Sequence, residues 1–288
     1  MIEKIKTIGV VLLLLIATAL GGGKAYIDYQ LNHQFKTQLQ KQFDKLSLSQ
    51  VRLSWLGTLL LQHVQLLISP YPPLSIAQVR IPQVYHYYGQ RWPAVSQMVF
   101  QDVTLSLEHY DTSIPMIMNL LGYSRYAVSM QTLRDLGYAI LTVDTITVTL
   151  FKQAPQLKLE MQASHLGQLT VIAHLTASPQ TLSLEALKHS QLTELNLIYR
   201  AGKIIDDIFT HLAQRNKMTL SDLKQNLIAQ LHQDLNRAKV NADILKGLAE
   251  FIQTPSQLMI QLQPHSPVSI TAMMSTELTQ WRLTLTSE

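Results

Sequence analysis

The sequence predicts an α+β fold with an N-terminal transmembrane helix, a mainly antiparallel β-sheet and a three-helix insertion near the C-terminus. Three observations support this prediction. A continuous apolar run occupies residues 8–27. Apolar and polar residues then alternate with a period of two in many short segments, as in strands that are covered on one face. Between residues 201 and 253, apolar residues recur instead at helical spacing.

The apolar run predicts a membrane anchor, and a cleaved signal peptide is the competing interpretation. The core of the run, Ile8–Leu20, has the length of a signal-peptide h-region, and Ala17-Thr18-Ala19 is an acceptable cleavage site. Apolar and small residues continue to Ile27, so the whole run has about 20 residues and can cross a hydrocarbon core. The uncleaved anchor is therefore the favoured interpretation.

The residues that flank the run predict its orientation. Lys4 and Lys6 precede it, which favours a cytoplasmic tail at residues 1–7 and a periplasmic domain at residues 28–288. The prediction is a single-pass protein of a bacterial inner membrane. A lysine amine can reach lipid headgroups, and tyrosines form aromatic belts at the same level. The predicted membrane-interface residues are Lys24, Tyr26 and Tyr29.

Composition excludes several classes of site. The chain has 288 residues, of which 47% are hydrophobic and 15% are charged, so a large core is available. It has no cysteine, which excludes disulfides, thiolate nucleophiles and cysteine-based metal sites. The net charge is +4 without a dense Lys/Arg tract, so no nucleic-acid partner is predicted.

Alternating segments predict strands on both sides of the helical insertion. The turn His165–Gln168 predicts a hairpin, and Thr219 with Asp222 predicts an N-terminal cap for the second inserted helix. Short helices are also predicted at Ile114–Leu121 and Ser129–Leu136. The predicted strand segments are 64–68, 76–81, 103–107, 146–150, 157–163, 169–175, 258–262, 268–272 and 281–286.

No combination of residues predicts catalysis, a metal site or a cofactor. The ten histidines are scattered, and none forms the helical pair with a glutamate that a zinc site needs. His109-Tyr110-Asp111 combines a base with an orienting carboxylate, but no Gly-x-Ser-x-Gly nucleophile completes a triad. Asp206 and Asp207 are expected on the solvated face of their helix. The protein is therefore predicted not to be an enzyme.

Two surfaces are candidate binding sites. The aromatic cluster at residues 85–92 either packs over the core or contacts a bilayer or ligand. The aliphatic face of the strands either holds acyl chains in a curved sheet or forms a closed core under the three helices. The predicted ligand-binding residues are Val64, Leu66, Val103, Leu105, Ile146, Val148, Leu169 and Val171.

Several segments share a recurrent strand rhythm after the anchor. They are Leu46–Gly57, Gln101–Leu107, Leu136-Gly137-Tyr138 with Asp144, and the hairpin at Gly167. In this layout the chain resembles AsmA-like and YdgA-like bacterial envelope proteins. The resemblance implies an anchored, non-enzymatic protein of envelope lipid homeostasis. The helical unit at 201–253 is not part of that pattern, and the chain is much shorter than the large bridge-like members.

These observations predict a non-enzymatic, membrane-anchored envelope protein that handles or senses a lipid or another apolar ligand. The expected partners are inner-membrane lipids. The alternative is a structural or assembly subunit that docks another envelope protein through the helices at 201–253.

Overall fold

A single large antiparallel sheet dominates the structure. The computed structural model describes residues 23–37, 46–67, 73–84, 94–108, 113–114, 128–176, 190–237, 242–270 and 281–287. Its sheet strands are β1 (Leu46–Ser47), β2 (Gln50–Leu53), β3 (Leu59–Leu66), β4 (Leu74–Ile81), β5 (Val95–Ser106), β8 (Ile140–Phe151), β9 (Gln156–Ala163), β10 (Gly167–Leu175), β11 (Gln191–Ala201), β12 (Gln257–Pro264), β13 (Val268–Ser269) and β14 (Trp281–Ser287). The short strands β6 (Ser113–Ile114) and β7 (Val128–Ser129) pair separately.

The sheet is a nearly continuous meander. Its strand order is β1-β3-β4-β5-β8-β9-β10-β11-β12-β14, with β2 beside β3 and β13 beside β11. All described pairings are antiparallel. The predicted α+β class with a mainly antiparallel sheet is therefore confirmed. The predicted hairpin is also confirmed, because β9 and β10 pair on both sides of the turn that Gly167 ends with a positive φ of 98°.

Described helices lie before β1, between β7 and β8, and between β11 and β12. The described helices are α1 (residues 23–37, with a π-helical turn at Leu31–Phe35), α2 (Met130–Asp135), α3 (Lys203–Arg215), α4 (Leu220–Arg237) and α5 (Ala242–Gln253). The three inserted helices and the short helix α2 match the sequence prediction. Thr219 Oγ1 accepts a hydrogen bond from Asp222 N at 3.1 Å, as the predicted cap requires.

Most of the predicted anchor lies outside the described residues. Residues 8–22 belong to that part, and residues 23–27 form the start of α1. Within the part of the chain that the structure describes, no helix is long and apolar enough to cross a bilayer.

Three sequence expectations need correction or extension. Strand β11 is not among the predicted strands, although Leu195, Leu197 and Tyr199 follow a period of two within it. The helical unit begins at Lys203 rather than at 201, since Ala201 is the last residue of β11. The helix predicted from Ile114 is wrong at that residue, which pairs with Val128 in a strand, and residues 115–121 lie outside the described ranges.

Buried apolar residues form three clusters on one face of the sheet. The largest joins α2 and α3–α5 to the apolar side chains of β11, β12 and β14 and to the ends of β5 and β8. Gly247 allows α5 to approach β14 closely, since a Cβ there would lie 2.9 Å from the Leu285 carbonyl oxygen. The second cluster joins α1 to β2–β5, and the third joins the other ends of β10–β12 to Trp281.

Candidate functional site

A shared irregularity crosses four neighbouring strands of the sheet. In each strand, two apolar residues are three positions apart rather than two, and the pairing register is the same on both sides of the interruption. The apolar pairs that flank it are Leu61/Val64 in β3, Ile76/Val79 in β4, Phe100/Val103 in β5 and Val143/Ile146 in β8.

The backbone explains how the apolar residues stay together. His63 and Asp102 both have a positive φ of 50°, a conformation that histidine and aspartate adopt more readily than most residues. A left-handed residue within a strand interrupts the regular alternation of side-chain directions. Residues on both sides of the interruption therefore share one face. Phe100 accordingly packs in the same cluster as Val64 and Val103.

The register places the eight predicted ligand-binding residues on this single apolar face, but in different surroundings. Val64 and Val103 are buried, and Leu66 packs against them, in the core beside α1. Leu105 packs against the cluster of the inserted helices. These four side chains serve the closed cores, and a ligand-binding role for them stays a prediction.

The apolar side chains of β8, β9 and β10 form a region that we call the central strip. Two cross-strand rows build it, and every member is half-buried. Its residues are Ile146, Met161 and Leu169 in one row and Val148, Leu159 and Val171 in the next. Val148, Leu159, Met161 and Leu169 belong to none of the three buried clusters that the described residues form.

The central strip lies between two closed cores. Leu31 of α1 packs into the core on one side, and Leu248 of α5 is buried in the core on the other. Strands β8, β9 and β10 separate the core beside α1 from the core beneath α5. The axes of β8 and β10 are about 10 Å apart. Leu159 and Met161 were not among the predicted site residues. Their signal was present, because the apolar alternation of β9 is in register with that of β8 and β10.

Two shallow depressions lie on the opposite, mainly polar face of the described sheet. One, of about 260 Å³, is lined by residues that include Thr147, Glu160 and Thr170. The other, of about 270 Å³, lies beside His63 and Asp102. Small-molecule sites usually enclose about 300–1,000 Å³ and are mostly apolar. Both depressions are smaller than this range, and only the one beside His63 and Asp102 is mainly apolar.

A carboxylate surrounded by amide donors occupies the polar face of β11. Glu194 accepts hydrogen bonds from the side-chain amides of Asn196, Gln261 and Gln263, at 2.6, 2.9 and 3.1 Å. The bond from Asn196 contributes most to holding the pKa of this carboxyl below its ordinary value, and His174 adds a favourable charge interaction. This arrangement keeps the carboxylate ionised and joins β11 to β12.

Asp206 and Asp207 differ, contrary to the expectation that both lie on a solvated face. Asp206 is exposed, whereas Asp207 is half-buried and accepts a hydrogen bond from Tyr138 Oη at 2.6 Å. Burial, this hydrogen bond and the charge of Asp207 raise the pKa of Tyr138 to about 12. A phenol with so high a pKa keeps its proton near neutral pH, so the contact attaches the loop after α2 to α3 rather than activating a catalytic group.

The predicted membrane-interface residues lie together on the first two turns of α1. Lys24 forms an ion pair with Asp28, so its amine is neutralised within the helix. Tyr26 is 63% exposed, and Tyr29 is 59% exposed with its ring 4.3 Å from that of His33.

Other sequence candidates lie outside the described residues. These are His109-Tyr110-Asp111 and the aromatic cluster at 85–92. Among the residues that the structure describes, no three histidine, aspartate or glutamate side chains come together as metal ligands.

By fold, the protein is an α+β protein with a large antiparallel meander and a helical insertion. The sequence model of a family described as "Uncharacterized protein" matches residues 132–286, which is more than half of the chain, and the chain belongs to this family. The matched region includes the central strip and the inserted helices and excludes α1 and β1–β5. A comparison with curated proteins finds no match.

Proposed function

We propose that the protein is a non-enzymatic, inner-membrane-anchored envelope protein that handles or senses a lipid or another apolar ligand on its central strip. The observation that supports this function most strongly is that all six side chains of the strip, five aliphatic and one methionine, are half-buried, and that four of them belong to none of the three buried clusters. Covering apolar surface that water still reaches is favourable by about 25 cal/mol per Å². A flexible hydrocarbon chain is a suitable occupant, because none of the six side chains that form the strip is charged.

The location of the strip supports a lipid rather than a compact polar ligand. Its two rows run across three neighbouring strands, and both contain only aliphatic side chains or methionine. Methionine adapts its shape to irregular apolar partners, and Met161 lies in the middle strand. The apolar run at residues 8–27 would keep this face near a supply of lipid. The resemblance to AsmA-like envelope proteins agrees with the same function.

The alternative function, docking of an envelope protein through the inserted helices, has less support. Their apolar stripes face the sheet, where Leu212, Leu223 and Leu231 are almost completely buried. Among the described residues of α3–α5, Leu220 is the large apolar residue that is more than one-third exposed. The accessible side of the described helices is therefore mostly polar.

Purification of the full chain from membranes tests the proposal. The protein is extracted in a mild detergent, and its lipids and protein partners are identified by native mass spectrometry. We expect a lipid that stays bound at a defined stoichiometry. A stoichiometric protein partner without bound lipid would contradict the proposal and favour the docking subunit.

Membrane attachment is tested on the same preparation. We expect the chain to stay in the membrane through a carbonate wash and to keep its original N-terminus. A soluble protein whose N-terminal sequence begins at Leu20 would show instead that the apolar run is a cleaved signal peptide.

A further inference from the structure

The turn that joins β2 to β3 presents two exposed apolar side chains. Trp55 is 62% exposed and Leu56 is 90% exposed. Hydrogen bonds close this turn, from Ser54 N to Thr58 O at 2.8 Å and from Gly57 N to Ser54 O at 3.0 Å. Thr58 N also donates to Ser54 Oγ at 2.9 Å. The turn is thus fixed by its own backbone and holds both side chains away from the sheet.

Three contacts determine where this turn lies along α1. In order, Lys36 Nζ donates to Ser49 O at 2.9 Å, Asn32 Nδ2 donates to Val51 O at 2.7 Å, and Asp28 Oδ1 accepts from Leu53 N at 3.2 Å. Each step moves four residues along the helix, or about 6 Å, and two residues along the strand, or about 6.6 Å. Strand β2 ends at Leu53, and continuing the same spacing into the turn puts Trp55 near the level of Lys24.

That level is where α1 meets the predicted anchor. The described helix begins at residue 23, so its first turn contains the last residues of the apolar run, and Tyr26 and Tyr29 are exposed within its first two turns. Tryptophan and tyrosine are enriched where a protein crosses the boundary between hydrocarbon and water. Contiguous exposed apolar groups often mark a surface that contacts a membrane or another protein.

We propose that Trp55 and Leu56 insert into the interface of the bilayer that holds the anchor, beside the point where α1 leaves it. The inference rests on the proposed membrane anchoring. The occupant is a lipid surface, because the exposed apolar groups lie at the level where the anchor ends. Arg52, exposed on β2 just before the turn, is placed to meet lipid phosphates. The turn and the anchor together give the domain two membrane contacts, so β3 is oriented away from the bilayer.

The natural absence of cysteine makes a direct test possible, because a single introduced cysteine can be labelled without other changes. The full chain with Leu56→Cys is labelled with the fluorophore NBD and reconstituted into vesicles of phosphatidylethanolamine and phosphatidylglycerol. The matched control is Leu67→Cys, which is also an exposed apolar position, 53% accessible, at the far end of β3. Leu59 and Leu67 are eight residue steps apart along the strand, or about 26 Å.

We expect NBD at position 56 to shift its emission to shorter wavelength and to lose most of its intensity when lipids with a doxyl group near the headgroup are included. NBD at position 67 should show neither change. The inference is overturned if position 56 behaves like position 67. It is also overturned by a blue shift without doxyl quenching, which would indicate a protein partner or a second copy.

Flotation of the same labelled vesicles separates this inference from the proposed function. If the chain floats with the vesicles while position 56 stays in water, the proposed membrane anchor is supported. The proposal that the turn inserts into the bilayer is then wrong. If the chain does not float, the membrane anchor itself is wrong, and the inserted turn is wrong with it.

Discussion

Asn32 forms two hydrogen bonds with the backbone of Val51, as a neighbouring strand would. Asn32 Nδ2 donates to Val51 O at 2.7 Å, and Val51 N donates to Asn32 Oδ1 at 2.8 Å. Asp28 extends the contact by accepting from Leu53 N. Strand β2 pairs only with β3 among the described strands, so these side chains cover its open edge. The helix that leads from the predicted anchor is thereby fixed to the sheet.

Replacement of Asn32 by alanine should loosen α1 from the edge of β2. Both backbone groups of Val51 lose their partner, and each unsatisfied group costs about 1–3 kcal/mol if water cannot reach it. We expect faster hydrogen exchange at the Val51 amide in the detergent-solubilised full chain. His33→Ala, at an exposed position of the same helical turn, should leave that amide protected. Equal exchange in both variants would show that the two hydrogen bonds do not hold the helix.

The neighbouring residues Asp206 and Asp207 provide a matched pair for a stability measurement. Asp207→Ala removes the acceptor of the half-buried Tyr138 hydroxyl, and we expect a loss of about 1–3 kcal/mol in the free energy of unfolding. Asp206→Ala removes only an exposed charge near the start of α3, which is worth about 0.3–1 kcal/mol. Urea unfolding of the two variants measures the difference. Equal losses would mean that the Tyr138 contact contributes nothing to stability.

The pattern of the sequence predicted the class of the fold but only parts of several strands. In β5 and β8 the predicted segments begin at Val103 and Ile146, whereas the strands begin at Val95 and Ile140. The three-residue spacing at the interruption changes the phase of the alternation, so each half looks like a separate short strand.

The candidate site was predicted only in part because burial depends on distant elements. Val64 and Val148 both lie in segments where apolar and polar residues alternate. Val64 nevertheless lies in a closed core, whereas Val148 lies between two cores. Which strands the helices cover depends on the order of strands in the sheet, and local periodicity does not contain that order. The position of Trp55 beside α1 likewise depends on the contacts of Asp28 and Asn32, which are long-range.

Glu194 should make the stability of the protein depend on pH on the acid side. Its pKa is lowered in the folded state, mainly by the Asn196 hydrogen bond, so the unfolded chain takes up a proton first as the pH falls. The stability that this carboxylate contributes is complete above the ordinary glutamate pKa and is lost as the pH falls through the folded value.

Urea unfolding at several pH values tests this prediction. Glu194→Gln should be less stable than the wild type at neutral pH, and the difference should shrink in acid. Asn196→Ala should remove part of the same dependence, since it deletes the strongest of the three donors. A difference between Glu194→Gln and the wild type that stays constant with pH would contradict the role given to this carboxylate.

The amount of lipid that co-purifies with Val148→Asp tests the central claim most directly. Val148 is half-buried in the central strip, so an aspartate there keeps part of its hydration and should cost only about 1–2 kcal/mol. Gln162→Asp is the matched control, because it adds the same charge on the polar face of the same sheet, between Thr145 and Gln168. Both variants also retain lipid around the anchor, so the informative quantity is the difference in co-purified lipid between Val148→Asp and Gln162→Asp. We predict that both melt close to the wild type and that Val148→Asp alone loses the bound lipid. Unchanged lipid in Val148→Asp, or collapse of its fold, would contradict the claim and show that the strip is part of a closed core.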